Sequence, residues 1–147
     1  MKVEELNQSE KEEWAKLYHG YAEFYEMEMN EDILDTVWSW IHSPDINFFS
    51  IGIKSSKDEL IGFMHFREMP SPLRGKLVGF LDDLFVHPDF RGSGAVQLLF
   101  KELKLQANKN NWPYVRWITA SDNSRARKVY DQISKPIDFV TYQMPIN

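Results

Sequence analysis

The stretch Val86-His87-Pro88-Asp89-Phe90-Arg91-Gly92-Ser93-Gly94-Ala95-Val96 constrains this chain more than any other, because it leaves a strand and opens a helix through two glycines. Upstream, Leu84-Phe85-Val86 is apolar and β-prone; downstream, Leu98, Leu99, Phe100 and Leu103 recur at helical spacing. Glycine supplies the unusual φ angles and lets the backbone approach a ligand closely. The helix start adds unpaired N–H groups and the positive end of its dipole. A turn of this kind is built to hold a phosphate. It is not the nucleotide loop that closes on Lys-Ser or Lys-Thr. Nor is it the dinucleotide fingerprint, which requires an acidic residue ~20 positions further on.

With 147 residues, the chain is expected to form one domain spanning residues 1–147. Its 43% hydrophobic and 14% aromatic content marks a globular protein. The balance of 17 basic against 22 acidic residues, a net −5, argues against nucleic-acid binding and suits a cationic acceptor. There is no cysteine, which excludes disulfides and a cysteine nucleophile. The four histidines, His19, His42, His65 and His87, lack metal-ligand spacing, so no metal is expected. No apolar run approaches the ~20 residues of a membrane span, and Met1 to Glu5 has no signal-peptide core. The expected location is cytoplasmic.

Patterning predicts a strand at Lys2 to Leu6, then a helix from Asn7 or Ser9 carrying Trp14, Leu17, Tyr18, Tyr21, Phe24 and Tyr25. A second helix follows Asn30. Strands are expected at Asn47 to Ile53, Leu60 to Arg67 and Lys76 to Val86, with Pro70, Pro72 and Gly75 marking a loop. A helix from Ser93 to Asn108, a strand at Tyr114 to Thr119, a helix capped by Asp122 or Asn123, and a last strand at Ile137 to Met144 complete the chain. The order β-α-α-β-β-β-α-β-α-β implies an α/β fold, a mixed, mostly antiparallel central sheet with helices on both faces.

Three segments together resemble the GNAT family of acetyl-CoA-dependent N-acetyltransferases. Arg91-Gly92-Ser93-Gly94-Ala95-Val96 is similar to its pyrophosphate loop, with Val96 departing from the usual Gly or Ala. Leu81-Asp82-Asp83-Leu84-Phe85-Val86 is similar to the acidic-acidic-apolar strand of the polyamine, diamine and thialysine acetyltransferase branch and of the yeast Hpa-type enzymes. Asn123-Ser124-Arg125-Ala126-Arg127-Lys128-Val129-Tyr130 resembles the family helix that runs from Asn to Tyr. The resemblance implies the acyl-CoA N-acyltransferase fold, acetyl-CoA as co-substrate, direct transfer to a primary amine, and a homodimer as a common assembly. It places the cofactor on Arg91, Gly92, Ser93, Gly94, Ala95, Val96 and Asn123, and on the strand Leu84-Phe85-Val86, with a backbone N–H near Phe85 polarising the thioester.

Acetyl transfer also needs a base for the amine and an acid for the departing thiolate. The resemblance puts the base at Asp82. Asp83 shares the argument, because neighbours on a strand face opposite ways and a family bulge leaves the parity open. Tyr130 matches the acid, since a phenol stays protonated at neutral pH. The acidic, aromatic run Tyr21 to Glu28 resembles the family's acceptor wall, with Tyr25 and Glu26 matching most closely and joining Asp82 and Asp83 as substrate residues. The expected acceptor is a small cation: a polyamine, a diamine or a lysine-like amino acid. Two alternatives stay open: a protein lysine or N-terminal acetyltransferase, and a non-catalytic acyl-CoA-binding module. The latter is kept open by Val96 and by the missing Gly-Phe after Tyr130.

Overall fold

The apolar runs around Phe48, Leu60 and Lys76 fold back on one another at the centre of a five-stranded sheet in the computed structural model, which describes residues 1–147. The strands β1 (Lys2–Glu5), β2 (Phe48–Lys54), β3 (Leu60–Ser71), β4 (Lys76–Val86) and β5 (Val115–Arg116) lie side by side in chain order. The first three junctions are antiparallel, and β5 joins β4 in parallel. The helices are α1 (Lys11–Phe24), α2 (Glu31–Ile41), α3 (Ala95–Lys109) and α4 (Ser124–Ile133). The chain divides into two compact units, Met1–Trp117 and Ile118–Asn147.

In the first unit, side-chain alternation along β3 decides which helix meets which face. Phe63 and His65 turn toward α1, where Tyr18 and Trp14 wait, while Phe66 turns to Trp112 just beyond α3. Trp14 is fully buried among Trp38, Tyr18 and His65, with ring centroids 4.8, 5.4 and 5.9 Å away. Truncating it to alanine would cost about 3–5 kcal/mol. The helix starts follow their caps. Asn7 and Glu10 form a reciprocal capping box, and the Asn30 side chain accepts from Ile33 N–H at 2.9 Å.

Three elements differ from expectation. β3 runs on to Ser71, through Pro70, because pairing toward β2 reaches only as far as Glu68, whose N–H donates to the Asn47 carbonyl, and the edge of β3 at Pro70 has no strand beside it. A proline lacking N–H costs nothing on such an edge. β5 is confined to Val115–Arg116, shorter than Tyr114 to Thr119. The expected last strand, Ile137 to Met144, does not form, so the element order ends at α4. Its alternation records a local preference, but alternation alone does not supply the neighbouring strand that a sheet needs. Phe139 and Tyr142 are 75% and 91% exposed.

Candidate active site

The decisive local event is a bulge on β4. Across the β3–β4 hairpin, His65 pairs with Asp83 and Phe66 pairs with Leu81, so Asp82 is an extra residue with no Cα partner. Its consequence is a change of parity. His65 and Arg67, two apart on β3, share one face; Asp83 bonds to His65 and Asp82 bonds to Arg67. Both carboxylates therefore lie on the α1 face, although they are sequence neighbours.

Their surroundings set them apart. Trp14 Nε1–H donates to His65 Nε2 at 3.0 Å. An indole can only donate, so the His65 proton sits on Nδ1, which donates to Asp83 Oδ2 at 2.8 Å. The Tyr18 hydroxyl donates to the same oxygen at 2.8 Å, and the Tyr21 phenol stands near the carboxylate. Burial pushes the Asp83 carboxyl upward, but His65, Tyr18 and Tyr21 together outweigh it and hold the group below its usual range. Burial and the Asp83 charge push both phenols far above theirs, so they remain donors. Asp83 is a fixed anion.

Asp82 is tuned the other way. Burial raises its carboxyl above the ordinary range, and the Arg67 guanidinium only partly offsets this. A carboxylate with raised basicity is the better proton acceptor of the two.

Beside this pair, β4 has an open edge. Pairing with β5 stops at Phe80 and Arg116, which leaves Leu81 to Val86 without a strand on that side. Leu84, Phe85 and Val86 lie on that edge. At its end the chain turns through Pro88–Phe90, where His87 Nδ1 accepts from Asp89 N–H at 3.2 Å, a structural role. Gly92 and Gly94 follow with φ of 77° and 89°, and open space surrounds both. The Ser93 hydroxyl donates to the Phe90 carbonyl. Gly94 precedes α3 with no side chain capping it, so the N–H groups of Ala95, Val96 and Gln97 form an uncapped first turn. Val96 contributes through its backbone, whatever its side chain.

Arg91 lies over the Phe24 ring at 5.8 Å, and both border a cavity of about 710 Å³ between α1 and the end of β4. Phe85, Lys16 and Gly20 also line it. Tyr25 packs at a tilt, 4.7 Å from Tyr21, at the end of α1, and burial, then the Asp83 charge, raises its phenol. Glu26 sits in the left-handed turn that ends α1, at φ 54°, exposed and outside the bonds of the carboxylate cluster. In the second unit, Asn123 caps α4 by accepting from Ala126 N–H at 3.2 Å, and Tyr130 lies half-buried on that helix.

The open β4 edge runs into an uncapped, glycine-flanked helix start, a geometry that suits a pantetheine arm and a pyrophosphate, and residues 9–133 match the acetyltransferase (GNAT) family. The chain belongs to the GNAT family. It is thus an acetyl-CoA-dependent N-acetyltransferase, and acetyl-CoA is its co-substrate. This GNAT chain is 23% identical over 142 residues to a D-amino-acid N-acetyltransferase of Saccharomyces cerevisiae, covering 96% of this chain and 88% of that protein. Among solved structures, it resembles a probable acetyltransferase with a TM-score of 0.88 at 24% identity, covering 100% and 99% of the two chains. A ribosomal-protein-alanine N-acetyltransferase of Brucella melitensis gives 0.81 at 23%, covering 99% and 100%. These structural likenesses establish the GNAT fold.

Sequence reasoning missed His65, Trp14, Tyr18 and Arg67. The signal for His65 was available: it stands opposite Asp83 in the hairpin register. Arg67 had none, because its reach to Asp82 exists only through the bulge.

Proposed function

We propose that this enzyme acetylates the primary amine of a small cationic acceptor by direct transfer within a ternary complex. One observation carries the reading: the bulge at Asp82 sets two carboxylates on one face, beside the open edge of β4. Asp82 takes the amine proton, directly or through a water, as the nitrogen attacks the thioester carbonyl. Asp83, held by His65 and Tyr18, supplies fixed negative charge that draws an ammonium group toward Asp82. Tyr21 and Tyr25 extend that site with aromatic faces, and Glu26 adds charge at its rim.

For the cofactor, Arg91 to Val96 and Asn123 hold the pyrophosphate region, and backbone groups of Leu84, Phe85 and Val86 pair with the pantetheine arm. A backbone N–H near Phe85 polarises the carbonyl as the carbon–sulfur bond breaks. The sulfur takes its proton from Tyr130, an assignment that rests on the Asn123-to-Tyr130 motif. The same resemblance carries a single-domain, cytoplasmic enzyme that pairs as a homodimer, and sedimentation at micromolar concentration reads that assembly.

The test is acetyl-CoA turnover over a panel of diamines, polyamines, amino acids and matched monoamines. Glu26→Gln should raise KM for a diamine more than for the matched monoamine, and added salt should shrink the wild-type preference. Preference for neutral-tailed amines would overturn the cationic acceptor, and turnover confined to protein or peptide amines would replace it.

A further inference from the structure

Arg67 and Asp82 form a two-point ion pair across the hairpin. Nε lies 3.1 Å from Oδ2 and 3.2 Å from Oδ1, and Nη2 closes on Oδ1. Arg67 has Phe80 as its Cα partner, so its head turns diagonally to reach the bulged Asp82. On the way the guanidinium lies 5.3 Å from the centre of the Phe80 ring. The partners differ in exposure: the arginine side chain is 52% accessible and the aspartate 19%. The cation thus stands on the solvent side of the carboxylate. Its bonds to Asp82 use Nε and Nη2, leaving the Nη1 edge of the fork for another acceptor.

A pair this open on the arginine side adds little to stability. Its effect on an incoming acceptor is larger. Asp83 and Glu26 draw a cation to the site, but an acceptor without an anionic group leaves the Arg67 charge unmatched beside its amine. An α-amino acid meets a complementary pair, because one carbon carries both its ammonium and its carboxylate. We propose that the cationic acceptor is a basic α-amino acid, whose carboxylate docks on the Arg67 guanidinium while its α-amine lies against Asp82. This rests on the reading above that Asp82 faces the reacting amine. One ion pair is then exchanged for two, and each buried or half-buried charge keeps an opposite neighbour. Arginine suits the task because its planar fork meets a carboxylate at two points, which a lysine cannot do. Arg67 selects the acceptor and takes no part in the bond changes.

The experiment compares arginine with agmatine, and homoarginine with homoagmatine, both amino acids in each hand, as acceptors for the wild type, Arg67→Gln and Arg67→Lys. The wild type should favour the amino acid in kcat/KM by at least about tenfold. Arg67→Gln should abolish the preference through a higher KM for the amino acid, with KM for acetyl-CoA and the urea midpoint little changed; Arg67→Lys should restore part of it. Equal kcat/KM for acid and amine in the wild type overturns the proposal, as does equal loss for both in Arg67→Gln. A preference that survives Arg67→Gln reflects the lower basicity of the α-amine and also overturns it. In those cases amine acetylation itself stands. Transfer to none of these acceptors, nor to any diamine or polyamine, removes the small-acceptor reading and this proposal with it.

Discussion

The Nδ1 of His65 lies 2.8 Å from Oδ2 of Asp83, directly across the β3–β4 hairpin, with the far side of the imidazole held by Trp14. His65 is completely buried, so the ring cannot exchange these partners for water. The arrangement stiffens one of two adjacent carboxylates and leaves the other to titrate. That division separates the roles given to Asp82 and Asp83.

Asp83→Asn should destabilise the fold by about 2 kcal/mol, since Tyr18 and His65 lose their charged acceptor. The pH dependence follows from the lowered carboxyl. Its contribution is present above the unfolded value of about 4 and is lost as pH falls through the folded value. Urea midpoints between pH 2 and 7 should fall on the acid side in the wild type and change less in Asp83→Asn. Parallel curves for the two proteins would contradict the network.

Trp14→Phe keeps most of the ring but removes the donor to His65 Nε2. A loss of about 1–3 kcal/mol is expected, from an unsatisfied buried acceptor and a smaller side chain. Urea unfolding measures it, and acetyl-CoA binding should be unaffected.

Asp82→Asn should lower kcat/KM by roughly 10²–10⁴-fold, with acetyl-CoA affinity near normal. Because burial raises the Asp82 carboxyl, the acid limb of the wild-type rate profile should lie above the range of a free aspartate. Activity rises as this proton leaves. A variant that retains both the limb and the rate would move the base elsewhere.

Tyr130→Phe should lower kcat by roughly 10²–10⁴-fold while CoA binding changes little, because only the hydroxyl is lost. Near-normal turnover would assign thiolate protonation to water or another residue.

Replacing Gly92 and Gly94 together by valine should remove CoA binding. Open space surrounds both positions, but φ of 77° and 89° places a branched side chain in the left-handed region at roughly 1–2 kcal/mol each. The loop must then rearrange away from the anion. Calorimetry alongside a thermal melt separates a lost site from a lost fold, and undiminished affinity would sink the assignment.

Much of the scaffold was legible because local signals coincided. Asn30 and Asn123 announced helix starts, and both side chains accept the expected N–H groups. Lys76 to Val86 matched its strand end to end. Ile137 to Met144 misled because alternation gives a β preference without saying whether a neighbouring strand is there to satisfy it.

By itself the sequence determined the glycine turn before α3, the helix caps and the family. Each is written in consecutive residues whose backbone preferences act locally. Tertiary structure alone decided that Asp82 and Asp83 share a face, that His65 and Trp14 hold one, and that Arg67 guards the other. Side-chain parity along a strand has a period of two, so one inserted residue reverses every orientation beyond it. Where that insertion falls is set by how β3 and β4 pair across the hairpin, not by any residue within the strand.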